Sequence, residues 1–293
     1  MHGILAVAVA VAAACFCAPV DPRPSTRTRR PAPFERGIMA LKVFITGASS
    51  GIGAALARHY AASGATVALT ARRIEVLESL RAELGANTHA YAADVTDAAS
   101  LARAAAAFME GHGVPDVVIA CAGVSIGIDS ALRDDVPVFR QVMDTNVLGA
   151  LITFQPFIDA MKKQRRGALV GIASVAGIRG LPGSGAYSAS KAALIAYCES
   201  LRVELRGSGV HVVTIAPGYI RTPMTEGNPY PMPFLTDAAV FAARAAAAIA
   251  ARDSYRVIPW QMGVVAKLLR LLPNWLFDRA LAKSGRKPRQ GPQ

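Results

Sequence analysis

A chain of 293 residues with 53% hydrophobic and only 18% charged side chains can bury one substantial core and is too apolar to stay disordered. The formal net charge of +12 does not mark a nucleic-acid binder, because Lys and Arg gather at the two ends, in Arg23–Arg36 and Lys283–Arg289, and no nucleic-acid motif lies between them. The four cysteines (Cys15, Cys17, Cys121, Cys198) and the scattered histidines lack zinc-ligand or CxxC spacing, which predicts no metal and reduced thiols.

Residues Ile4–Cys17 form an apolar run, followed by a Pro- and Arg-rich stretch, Pro19–Arg36. A secretory signal would want a basic start and here has only His2, although Ala12 and Ala14 fit an A-x-A pattern. A spanning anchor is disfavoured because the run is shorter than roughly 20 residues. The preferred reading makes residues 1–38 an extension ahead of a start at Met39, with a cytoplasmic folded domain over 39–258 and a tail over 259–293.

From Leu41 onward, short apolar runs alternate with helical patterns. The expected elements are strand Leu41–Thr46, a helix from Gly51, strand Thr66–Thr70, helix Ile74–Leu84, strand Thr88–Tyr91 and helix Ala98–Glu110. Strand Val117–Ala120, one long helix from about Val138 to Lys163, strand Ala168–Ala173, a helix from about Ala186 to Arg206 and strand Val210–Ile215 follow. This alternation predicts a single α/β domain, a doubly wound parallel sheet between two helix layers. Ligands then bind beyond the carboxyl ends of the strands.

Thr46-Gly47-Ala48-Ser49-Ser50-Gly51-Ile52-Gly53 follows the first strand and opens a helix, as a glycine-rich dinucleotide loop must. Its glycines let the backbone turn sharply and approach a pyrophosphate, whose charge suits exposed N–H groups and the positive end of a helix dipole. The second strand runs into Ala71-Arg72-Arg73, where an NAD site would carry a carboxylate for the adenosine ribose. Neutral Ala71 followed by Arg72 suits a 2′-phosphate held by charge-assisted bonds, so NADP(H) is the expected cofactor. The plainer alternative is that Arg72 and Arg73 merely solvate a helix start.

Tyr187-Ser188-Ala189-Ser190-Lys191 puts a phenol and an ammonium at i and i+4, on one helix face. A phenol near pKa 10 is a poor proton-transfer group at neutral pH, and lowering that value by about three units takes roughly 4 kcal/mol from a nearby cation. Such pairs also arise by chance on solvated helices. Ser174 adds weight because it ends an apolar strand at the ligand edge, where its hydroxyl can orient a carbonyl. Asn146, polar among apolar neighbours, needs a partner if buried and can hold a water that relays protons.

Together, Thr46–Gly53, Asp94, Asn146, Ser174, Tyr187, Lys191 and Pro217-Gly218-Tyr219-Ile220-Arg221-Thr222 resemble the short-chain dehydrogenase/reductase family over about Ala40–Ile258. The resemblance implies a Rossmann fold and hydride transfer between NADP(H) and a carbonyl or secondary alcohol. It implies a catalytic set of Asn146, Ser174, Tyr187 and Lys191, with Tyr187 as general acid in reduction and base in oxidation. It gives cofactor contacts to Gly47, Ser49, Ser50, Gly51, Ile52, Gly53, Arg72, Asp94, Val95, Tyr187, Lys191, Pro217, Gly218, Ile220 and Thr222. A homodimer or homotetramer built on the helices of Asn146 and Tyr187 is implied as well. Where the family carries Asn-Ala-Gly after the fourth strand, this chain has Cys121-Ala122-Gly123, which puts a strand-bracing bond in question.

Two other functions compete. A non-catalytic NADP(H)-binding protein would keep the loop and lack turnover. A serine hydrolase could use the G-x-S-x-G segments Gly47–Gly51 or Gly123–Gly127, but the only histidine after Ser125 is His211, inside a strand. Pro223, Met224, Pro229, Tyr230, Pro231, Met232, Pro233 and Phe234 suit either a cover over an apolar ketone or aldehyde or simple packing. The apolar tail Trp260–Leu281 can line the pocket, rest on a membrane interface or pack on a partner subunit, and packing is preferred.

Overall fold

The structure, a computed structural model, describes residues 40–228, 231–282 and 285–290. The readings of the N-terminal extension, its Cys15 and Cys17, the start at Met39, and Pro229 and Tyr230 lie outside the described residues. In chain order the first elements are β1 (Lys42–Thr46), α1 (Gly51–Ala62), β2 (Thr66–Ala71), α2 (Ile74–Leu84), β3 (Thr88–Ala92), α3 (Ala98–His112) and β4 (Val117–Ala120). Then come α4 (Val136–Met143), α5 (Gly149–Gln164), β5 (Gly167–Ile172), α6 (Gly185–Glu204), β6 (Val210–Pro217), β7 (Ile220–Arg221) and α7 (Pro223–Glu226). The last are β8 (Thr236–Asp237), α8 (Ala238–Ala250), β9 (Tyr255–Ile258), α9 (Trp260–Leu271) and α10 (Asn274–Leu281).

Seven parallel strands form one sheet in the order β3-β2-β1-β4-β5-β6-β9. Successive strand side chains point to opposite faces, so β1 alone shows why both faces need a helix layer. Val43 and Ile45 join the core under α1, α2 and α8, with Leu56, Leu77 and Phe241. Phe44 faces the core under α3, α5 and α6, with ring centroids 5.8 Å from Phe108 and 4.9 Å from Phe157. Strands buried on both faces explain the continuous apolar runs of the sequence. Truncating Phe44 to Ala would cost about 3–5 kcal/mol, because its ring fills a closed aromatic cluster.

The strand order reverses between β1 and β4, which opens a crevice at the carboxyl edge of the sheet. Several elements differ from the sequence reading, which also stopped short of β7, α7, β8 and α8. The long helix expected over Val138–Lys163 is α4 and α5 joined by a π-helical turn, Asp144–Leu148. That turn carries the Asn146 amide inward to fixed partners, and a buried amide is costly without them. β9 was missed because it is an edge strand with Tyr255 and Arg256 exposed and only Ile258 buried. The apolar tail is α9 and α10, with Met262, Val265 and Ala266 buried. Among the described residues no helix is long and apolar enough to cross a membrane.

Candidate active site

A cleft of about 700 Å³ runs along the carboxyl edge of the sheet. At one end the β1–α1 loop crosses its floor. Gly47 has φ +70°, and a Cβ there would lie 2.7 Å from the Ala122 backbone. A Cβ on Gly53 would lie 2.2 Å from the Gly47 carbonyl oxygen, so the loop tightens only with glycine at both places. Ser50 precedes α1 and makes no side-chain cap, which leaves the first N–H groups of that helix to a ligand. Ser49, Ser50, Gly51 and Ile52 line this floor. Arg72 stands exposed at the end of β2, beside Asp94 and Val95 beyond β3. Asp94 accepts the Thr96 N–H and hydroxyl at 2.9 and 2.8 Å through Oδ1, which fixes that corner.

Ser174, Tyr187 and Lys191 line the other end, and Pro217, Gly218, Ile220 and Thr222 also line the cleft, with Thr222 lying close to Gly51. Ser174 follows β5 and is 7% exposed, and its Oγ accepts the Ala176 N–H at 3.1 Å, which leaves the O–H to be donated to a ligand oxygen. Lys191 reaches back from α6 to donate to the Ile172 carbonyl at 2.8 Å, with Nζ 5.7 Å from the centre of the Tyr187 ring. Burial brings the Lys191 ammonium down to about 8, against a smaller opposing effect of the Cys121 and Cys198 thiols. The same burial pushes the Cys121 thiol up to about 12.

Of the catalytic and cofactor residues expected from the sequence, Asn146 alone does not line the cleft, and of the expected substrate cover Pro223 and Met224 line it while Pro231, Met232, Pro233 and Phe234 do not. Asn146 sits behind the wall, 1% exposed, where Oδ1 accepts the Val124 N–H at 2.8 Å and Nδ2 donates to the Val124 carbonyl and to Ser190 Oγ, both at 2.9 Å. Both amide hydrogens are thus engaged, and the side chain braces the β4 loop against α6. The question raised by Cys121 has a local answer. The Thr46 hydroxyl donates to the Ile119 carbonyl and accepts the Cys121 N–H, each at 3.3 Å, so Thr46 braces β1 to β4. Arg140, Gln141, Asp144 and Thr145 also line the cleft and were not anticipated. Read as one continuous helix, their segment presents them as an ordinary solvated face. His211 is the second residue of β6, at the amino edge, so it offers no base to either G-x-S-x-G serine.

A doubly wound parallel sheet, with a glycine loop after its first strand and a tyrosine–lysine pair at its carboxyl edge, defines a Rossmann-type nucleotide-binding enzyme. Residues 41–230 match the family model of the short chain dehydrogenases, and the chain belongs to that family. It is an oxidoreductase of that family and is 42% identical over 240 residues to an uncharacterized oxidoreductase of Myxococcus xanthus, covering 80% of this chain and 94% of the relative. A short-chain dehydrogenase from Streptomyces avermitilis superposes with a TM-score of 0.70 at 28% identity, over 78% of this chain and 92% of that one. An alcohol dehydrogenase from Thermococcus sibiricus, solved with 5-hydroxy-NADP, gives 0.68 at 26% identity, over 75% and 96%.

Proposed function

We propose that the protein is an NADP(H)-dependent enzyme that interconverts a carbonyl and a secondary alcohol, with Tyr187 as general acid in reduction and general base in oxidation. The observation that carries this is the single cleft with Arg72 and the uncapped α1 N-terminus at one end and Ser174, Tyr187 and Lys191 at the other. Its size and lining suit an extended dinucleotide with a small substrate beyond it. When bound, the nicotinamide cofactor supplies or accepts the hydride. Arg72 holds the 2′-phosphate, a reading supported by the neutral Ala71 and by the related dehydrogenase solved with 5-hydroxy-NADP. The glycine loop receives the pyrophosphate on main-chain N–H groups.

At the reacting end, Ser174 donates its O–H to the substrate oxygen and fixes the carbonyl against the Tyr187 phenol. Tyr187 then gives that oxygen its proton during reduction. The Lys191 ammonium lies 5.7 Å from the centre of the Tyr187 ring, and a unit charge at about that range, at an effective dielectric constant of about 20, would favour a phenolate by roughly 3 kcal/mol. Asn146 acts from behind by holding the β4 loop, and any water it holds for a proton relay must use the second lone pair of Oδ1 or its main chain. Pro223 and Met224 give the substrate end an apolar wall, which favours a hydrophobic ketone or aldehyde. Val136, Phe139, Leu148 and Leu151 are exposed along α4, the π turn and α5, which supports a homo-oligomer through that segment. The free thiols Cys121 and Cys198 suit a reducing, cytoplasmic setting.

The test is a screen of cofactor consumption over steroids, lipid-like ketones, aldehydes and quinones, run in parallel with NADPH and NADH. Turnover with NADPH, and much less with NADH, is expected. NADPH binding with no turnover across the panel would instead make the chain a binding protein, and equal use of NADH would remove the role given to Arg72.

A further inference from the structure

We propose that residues 285–290 form a strap that positions the substrate-side loops and, through them, Asn146, with Lys287 and Arg289 as its positioning residues. The inference rests on the reading of the cleft above and concerns a segment that reading does not use. The strap lies across two loops. One is residues 124–128, which continue from the cleft-lining Ala122 and Gly123. The other is residues 182–185, which open α6 two positions ahead of Tyr187.

Main-chain contact fixes the strap on both. Arg289 bridges to Gly127 in parallel register, the Gln290 N–H donates to the Gly127 carbonyl at 3.3 Å, and the Lys287 N–H donates to that of Pro182 at 3.5 Å. The loops are tied to each other by the Ile128 N–H on the Gly183 carbonyl at 3.1 Å. Such close approach needs bare glycines. A Cβ on Gly127 would fall 1.9 Å from the Pro288 carbonyl oxygen, and one on Gly183 would fall 2.7 Å from that of Lys287.

Two cations of the strap then hold the two segments that lead to Asn146, the loop that clasps its amide and the start of α4. Lys287 Nζ donates to the carbonyl and the hydroxyl of Ser125, each at 2.6 Å, next to the Val124 that clasps the Asn146 amide. Arg289 grips Asp135 with Nε at 2.9 and 3.0 Å and Nη2 at 2.8 Å. Asp135 is 3% exposed and immediately precedes α4, which lines the cleft with Arg140 and Gln141 and runs into the π turn bearing Asn146. Among the described residues, that carboxylate accepts, besides Arg289, the Asp129 N–H at 2.6 Å. Without the strap, the loop clasped by Asn146 and the helix that carries Asn146 each lose the contact that sets their separation.

The experiment follows deuterium uptake in residues 124–128, 144–148 and 182–185 of the full chain and of Gly127→Ala, which evicts the strap without touching its cations. The same samples are titrated with NADPH and assayed with a substrate from the panel. Exchange in the three segments should quicken by about tenfold. NADPH affinity should stay within about twofold, since the glycine loop and Arg72 lie apart from the strap. Turnover should fall by about 10- to 100-fold, the effect of a small displacement of reacting groups. Arg289→Ala should reproduce this pattern, and Arg289→Lys should recover part of the turnover, because the ion pair with Asp135 is kept. Should Arg289→Ala fail to fold around an unpaired Asp135, Arg289→Ala with Asp135→Asn removes the buried charge. Unchanged exchange in the three segments, or exchange raised equally throughout the sheet, overturns the proposal. A wild-type chain that turns over no carbonyl defeats the reading of the cleft, while the exchange result still decides the strap.

Discussion

At the adenosine end of the cleft the wall is main chain and solvated side chains: Gly47 and Gly53 bend the loop, the N–H groups of α1 stand uncapped, and Arg72 is exposed. At the other end Ser174, Asn146 and Lys191 are buried, and each is bonded to the protein's own backbone, at Ala176, Val124 and Ile172. The first arrangement suits binding, because its donors are left for a ligand and the exposed Arg72 can adjust. The second suits chemistry, because its groups are held before a substrate arrives. Changes at the adenosine end should therefore act on cofactor affinity, and changes at the other end on turnover.

The sharpest way to break that division is at Tyr187. Tyr187→Phe removes the proton-transfer group and should lower turnover by about 10³-fold in steady-state assays. Next comes Gly53→Ala, whose Cβ would meet the Gly47 carbonyl oxygen at 2.2 Å. The roughly 3 kcal/mol that such overpacking costs should weaken NADPH binding by about 100-fold, read by fluorescence titration. A smaller loss is expected for Arg72→Ala. Charge-assisted bonds worth about 1.5–3 kcal/mol would go, so preference for NADPH over NADH should drop by about 10- to 100-fold while NADH kinetics hardly change.

The smallest effect is a change with pH. Lys191 lies at about 8 in the folded protein and at its ordinary 10.5 when unfolded. A folded value below the unfolded one means that the unfolded chain binds more protons between those limits, so this group makes stability rise with pH across that window. Cys121 and Cys198, pushed up to about 12 and about 11, act in the opposite sense above their ordinary 9. Comparing melting temperatures of wild type and Lys191→Met cancels the thiols' shared contribution. Any advantage of the Met variant from losing a buried charge should shrink steadily from pH 8 to 10, and a constant difference would contradict the burial of a titrating ammonium.

Much of the cofactor end was legible in the sequence, because a glycine loop is local: strand, turn and helix follow one another within Lys42–Ala62. The pairing of Tyr187 with Lys191 was legible for the same reason, since one helix sets it. What escaped depends on residues distant in sequence. The π turn at Asn146 exists because Val124 and Ser190 are there to receive the amide. The cleft-lining Arg140 and Gln141 look like any solvated helix face until α4 is placed. The brace that Cys121 seemed to lack comes from Thr46 on another strand. Lys287 and Arg289 read as part of a basic tail, and only the fold brings them to Ser125 and Asp135.

The most direct test of the division between the two ends is a titration of NADPH into Tyr187→Phe. The variant should bind NADPH within about threefold of wild type, a difference under roughly 0.7 kcal/mol, although its turnover is lost. Loss of binding together with turnover would contradict the account, because Tyr187 would then be building the cofactor site instead of moving a proton beside it.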